Sequence, residues 1–269
     1  MAKSVFVRTA ALAALVMLAL PVSAQMLGGE NYRAPAVNQP GRAEWNWDGS
    51  NRLVVGVPAN VRYSEQGAPR VIVTGPDELV RRVRFRDGAL NTDWGFSWGN
   101  RERLEIQVTG VKLNSFAVSG SARMLLGRLD RDSLDIRVSG SGNVMADAAK
   151  ARDINMNVSG AGTIHLGALD ARDVEVDISG SGDATAASGR AERIELSITG
   201  SGKAEFAGVS SRDAQVTISG SGRAALAPRE AAQIRISGSG RVRMPTAPPN
   251  LQSKVSGSGR ILTAQADTH

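Results

Sequence analysis

Leu-Asp-Ile-Arg-Val-Ser-Gly-Ser-Gly, residues 134–142, decides the architecture of this chain. Apolar and polar side chains alternate from Leu134 to Val138, and the run ends in two serine–glycine steps. Strict alternation marks a strand with one buried face. The phrase is serial. A V/I-S-G-S-G motif begins at Val118, Val138, Val158, Ile178, Ile198 and Ile218 at a constant period of 20 residues, then at Ile236 and Val255 after steps of 18 and 19. Its variants are mild: SGSA after Val118, SGAG after Val158 and TGSG after Ile198. Fifteen of the 30 glycines lie inside these eight motifs, so the glycine content belongs to the repeat and not to linkers.

Outward from the motif, the preceding strand recurs as Val174–Ile178 and Ile194–Ile198. A second short strand follows each corner, as in Arg123–Leu126, Thr163–Leu166 and Arg241–Met244. Its inward positions are often small, as at Ala184 and Ala186, which implies a narrow interior. Two short strands and a glycine corner cannot bury their own apolar face, but stacked copies can, each strand pairing in parallel with its equivalent one coil along. Seven steps of about 4.8 Å make a regular stack of roughly 34 Å. Glycine permits positive φ at a sharp corner and close approach between stacked corners, and the serine hydroxyls can bond along the ladder. Propeller blades need longer units with more strands. The expectation is an all-β, single-stranded parallel β-solenoid with coils of about 20 residues. Ala146–Asp153, Ala168–Asp173 and Ala186–Arg193 form its third face and turn, with a short helical turn left open.

The ends are less regular. Residues 1–24 read as an export signal: Lys3 and Arg8, an apolar run from Ala10 to Val22, then Val22-Ser23-Ala24 for a signal peptidase. Residues 25–50 are rich in Asn, Pro, Gly and Gln and read as a flexible linker. The solenoid then spans 51–262, with irregular N-terminal coils over 51–117, regular repeats over 118–262 and a polar tail over 263–269. Asp87-Gly88 signals a hairpin or a corner, and Thr109-Gly110, after Leu104, Ile106 and Val108, reads as a degenerate motif. The irregular coils cap the N-terminal end, because an open solenoid end exposes a sheet edge.

Composition narrows function. Of 269 residues none is cysteine, which removes disulfides, thiol nucleophiles and cysteine metal sites, and only two are histidine. No segment after the signal is long and apolar enough to span a bilayer. Lys and Arg total 32 against 26 Asp and Glu, and removing the signal takes away two positive charges, so the mature chain carries 30 − 26, or +4. That modest excess, with aromatics placed elsewhere, argues against a nucleic-acid partner. The expected product is exported through the inner membrane to the periplasm, the cell surface or the medium.

The serial V/I-S-G-S-G, preceded by Val83–Leu90 (VRFRDGAL), resembles the GIN-domain family over roughly Leu53 to Gly222. Its members are described as auto-transporter adhesin heads and are largely of unknown function. The resemblance implies a surface-binding role and transfers no catalytic residues. No autotransporter barrel or anchor is visible in this sequence.

Candidate contacts are few. The outward position after each motif forms a column: Arg123, Asn143, Thr163, Asp183, Lys203, Arg223, Arg241, Arg260. Its three consecutive arginines could grip an acidic glycan, or serve only as a solvated face that deters aggregation. A second column, Asp135, Asn155, Glu175, Glu195, Gln215, Gln233, Gln252, could hold calcium or be plain surface polarity. Trp94 and Trp98 sit in an aromatic loop that could stack on sugar or anchor a partner, or could plug the solenoid end with Trp45 and Trp47. No catalytic, cofactor or metal residue is assigned. The leading reading is a non-enzymatic adhesin-like or envelope-binding module whose partner is an envelope glycan or protein. The alternatives are a β-helix lyase or hydrolase of acidic glycans, using Arg137 and Glu175, and a periplasmic structural or sensory partner of another envelope protein.

Overall fold

The computed structural model describes residues 32–92 and 103–263. The first elements are β1 (Val37–Gln39), β2 (Arg42–Asn46), β3 (Arg52–Val55), β4 (Ala59–Ser64) and β5 (Arg70–Thr74). One helical turn, α1 (Asp77–Val80), leads to β6 (Val83–Arg86) and β7 (Ala89–Thr92). Next come β8 (Leu104–Thr109), β9 (Ser115–Gly120), β10 (Arg123–Asp130) and β11 (Ser133–Gly140). Four long bent strands follow: β12 (Asn143–Gly160), β13 (Thr163–Gly180), β14 (Asp183–Gly200) and β15 (Lys203–Gly220). The chain closes with β16 (Arg223–Gly238), β17 (Arg241–Met244), β18 (Asn250–Ser256) and β19 (Arg260–Thr263).

The expected β-solenoid is what forms. From β9 onward every pairing is parallel, residue n with residue n + 20 through the regular coils, as in Ile136 with Met156 and Val176 with Leu196. Each coil has three faces. In β12 the buried side chains are Val144 and Ala146, then Ala149 and Ala151, then Ile154, Met156 and Val158. Two successive non-buried residues at Asp147-Ala148 and Arg152-Asp153 break the alternation, and the strand bends there. The Ala-rich stretch is thus the third face, in extended conformation with no helical turn. Large and small side chains alternate between coils, Ala186 pairing with Leu166 and lying one repeat before fully buried Phe206. Each buried Leu or Ile contributes about 2 kcal/mol.

The two glycines of the motif answer different demands. The first takes positive φ, from +99° at Gly120 to +119° at Gly180, which an L side chain resists. The second does not, but a Cβ on Gly162 would stand 2.3 Å from Val138 Cγ1 and 2.6 Å from the Gly142 carbonyl oxygen. The expected hydroxyl ladder gives way to a backbone one. Ser181 N–H donates to Gly160 O at 2.9 Å and Ser201 N–H to Gly180 O at 2.8 Å, while the motif serines other than Ser121 are exposed. The 18-residue step to Ile236 arises on the third face: pairing slips between Phe206 and Ser210, where β16 is shorter.

The N-terminal end departs from the sequence reading. Residues 37–46, inside the stretch expected to be linker, form β1 and β2, because Ala43 and Trp45 alternate inward and are buried. Coils continue through β3 and β4, with β7 stacked on β3 and β8 on β4. The pairing then turns antiparallel, β8 with β5, β5 with β2 and β2 with β1, so the cap is a folded-back sheet and not further coils. Because Thr109 pairs with Ser64, β8 belongs to the face after the corner, and Thr109-Gly110 is not a copy of the motif. Asp87-Gly88 is a hairpin turn, both residues at positive φ as a two-residue turn between β6 and β7 requires. Trp45 and Trp47 pack against Phe85, with centroids 6.2 Å and 5.5 Å away, and plug this end. No helix among the described residues is long and apolar enough to cross a membrane.

Candidate functional site

The parallel register aligns the arginine column as the repeat implies. Arg123 pairs with Asn143, Asn143 with Thr163, Thr163 with Asp183, Asp183 with Lys203, Lys203 with Arg223, Arg223 with Arg241 and Arg241 with Arg260. Arg223, Arg241 and Arg260 are exposed. None of the three has an ion-pair partner among the described residues, whereas Lys203 and Arg243 both reach Glu205, at 3.3 Å and 3.7 Å. Around the same glycine corner, on the face before it, exposed Arg235 pairs in register with exposed Lys254. Residues 214–263 hold Arg223, Arg229, Arg235, Arg241, Arg243, Lys254 and Arg260 against Glu230, 7 − 1 = +6. That equals the formal charge of the whole chain, so the rest sums to zero. The C-terminal end is a basic pole. Two like charges about 5 Å apart in water repel by roughly 1 kcal/mol, and a bridging anion removes that cost.

The acidic column also forms, Asp135 with Asn155, then Glu175, Glu195 and Gln215. Among the described residues no group of three His, Cys, Asp or Glu is placed to hold a metal ion. Gln215 Nε2 donates to Glu195 Oε1 at 3.1 Å. Burial lifts the Asp135 carboxyl above the usual carboxylate range, against the pull of Arg137 at 2.6 Å. Arg137 is thereby engaged with Asp135, and Glu175 lies one coil beyond Asn155, so the two residues of the lyase alternative do not converge. His165 Nδ1 lies 2.7 Å from Thr185 Oγ1. Trp94 and Trp98 lie outside the described residues.

One feature escaped the sequence reading. Along the bend beside the third face runs a groove of about 690 Å³, where Asp130, Lys150, Asp170 and Arg190 alternate in sign up the stack. Arg190 holds Asp170 through two bonds, at 3.0 Å and 2.9 Å, and this pairing keeps the Asp170 carboxyl below its ordinary range. Arg152, Arg172 and Arg212 each bond the aspartate that follows, at 2.8, 2.8 and 3.1 Å. The recurring Ala-Arg-Asp was the available signal. These charges neutralise one another, unlike those of the basic pole.

Known proteins share this architecture. A crystal structure named a putative lipid binding protein from Parabacteroides distasonis matches with a TM-score of 0.73 at 20% identity, over 87% of this chain and 100% of that one. A putative adhesin from Parabacteroides merdae matches with a TM-score of 0.74 at 23% identity, over 83% of this chain and 95% of that one. Another from Bacteroides fragilis matches at 0.62 and 19%, over 83% and 96%. At such identities the likeness concerns the fold. Comparison with curated proteins finds no match. The family model described as "Putative auto-transporter adhesin, head GIN domain" matches twice, over residues 51–167 and 145–248, and the chain belongs to that family.

Proposed function

We propose that the protein is a non-catalytic, adhesin-like binding module of the cell envelope whose basic C-terminal pole holds an acidic polymer, such as a uronate- or phosphate-bearing glycan. The observation that carries this reading is the in-register run Arg223, Arg241 and Arg260, exposed and free of carboxylate partners among the described residues. Guanidinium groups bind carboxylate and phosphate through paired N–H donors. A rigid ladder presents them at one fixed rise, so little ordering entropy is lost on binding. The export signal expected over residues 1–24 supports an envelope location. The family description, and the adhesin and lipid-binding names of the structural neighbours, support a binding role over a catalytic one.

A panel of neutral and acidic glycans tests this. The intact protein is expected to bind acidic members alone, without turning them over. Replacing Arg223, Arg241 and Arg260 together by Ser is expected to weaken binding about a hundredfold. Equal binding by the variant would remove the ladder from the account, and cleavage of a glycan would replace it with the lyase reading.

A further inference from the structure

We infer that the C-terminal tip of the solenoid docks end-on against an anionic lipid bilayer, at the depth of its headgroups. The inference rests on the envelope-binding reading and names the partner of the basic pole. Its own evidence is the last coil. Leu251 and Val255 pair in register with buried Ala232 and Ile236, so they occupy positions that face the interior in every other coil. Among the described residues no coil lies above them, and they are 37% and 41% exposed. Leu262, next to Arg260 and Ile261, is 49% exposed. Every residue of β18 is exposed, whereas the opposite end of the stack is closed by antiparallel strands and tryptophans.

Gripping a soluble polyanion needs no apolar side chains, but peripheral membrane binding does. A shallow apolar insertion and a basic surround together give stable attachment, where either alone is weak. Arg235, Arg241, Arg243, Lys254 and Arg260 surround the apolar tip. The unpaired strand edge fixes the depth, because its N–H and C=O groups need water or headgroup partners and cannot enter hydrocarbon. A second copy is the other natural occupant of an open sheet edge. Tail-to-tail docking, however, would face two +6 ends across one interface. Charge complementarity selects the anionic surface.

Co-sedimentation of the full protein with vesicles tests the inference. Phosphatidylcholine vesicles containing phosphatidylglycerol are expected to pellet the protein at least about tenfold more strongly than phosphatidylcholine alone. Leu251→Ser with Leu262→Ser is expected to lower that binding about tenfold. Both side chains are already exposed, so the melting curve should hold, and binding of soluble polygalacturonate should not change. Several results would overturn the inference. Wild-type vesicle binding by the double variant would leave charge alone. Binding of polygalacturonate without vesicles would sink the tip and spare the envelope-binding reading, and binding of neither would sink both. A concentration-dependent dimer lost in the variant, with no vesicle binding, would make the tip an interface between copies.

Discussion

Arg131 Nη2 donates to the phenolic oxygen of Tyr63 at 3.1 Å, joining two residues 68 positions apart in the chain. The same guanidinium, whose side chain is 1% exposed, bonds Leu113 O at 2.7 Å and Glu65 Oε1 at 2.5 Å. Tyr63 donates to Val111 O at 2.7 Å and accepts from the Leu113 amide at 3.1 Å. This network fastens β4 and the connection between β8 and β9 to the turn after β10 in the first regular coil. Tyr63→Phe leaves buried Arg131 and Leu113 donors short of an acceptor and is expected to cost about 2 kcal/mol. Arg131→Ala opens a buried space beside Glu65 and is expected to cost about 3 kcal/mol. Urea unfolding of the two variants checks both figures.

Glycine-to-alanine substitutions should separate by position. Gly127 is not at positive φ and nothing lies near its Cβ direction, so Gly127→Ala should be neutral or stabilising by about 0.5 kcal/mol. Gly120 has φ of +99° in open space, and its substitution should cost about 1 kcal/mol. Gly180 combines φ of +119° with a carbonyl oxygen 2.6 Å from the added Cβ, so its substitution should cost more than about 2 kcal/mol. Thermal denaturation of the three variants reads the order directly.

Asp135 should give stability a pH dependence of unusual sign. Burial raises its carboxyl pKa in the folded state, with Arg137 partly offsetting the shift. The folded chain therefore holds this proton more tightly than the unfolded chain. The contribution is favourable below the ordinary aspartate range and is lost as pH rises through the raised value. Asp135→Asn keeps the shape and removes the titration. The melting temperature of wild type relative to the variant is expected to fall between acidic and neutral pH, and an unchanged difference would count against a perturbed Asp135.

Much of this was legible because the motif recurs at a constant 20 residues through six copies and marks the corner of each later coil. Position relative to the motif fixes which residues stack, so the columns through Arg223 and Glu175 follow from counting outward from each Gly corner. The cap was not legible, because no period runs through it. Val37–Gln39 is surrounded by Pro, Asn and Gly, and the short alternation Ala43-Glu44-Trp45 is masked by that composition. Pairing direction is also silent in a strand's pattern, which is why Leu104, Ile106 and Val108 passed for a strand before a corner. The Asp170–Arg190 ladder stayed hidden for a different reason. It depends on which outward side chains reach across a bend, and alternation alone does not say.

The central claim is that anions are held by Arg223, Arg241 and Arg260. NMR of the arginine Nε–H groups during titration with a galacturonate oligomer tests it most directly. The account predicts that these three resonances shift together and first, while Arg152, Arg172 and Arg190, already bonded to aspartates, stay in place. Shifts confined to the latter three, or none at all, would contradict it.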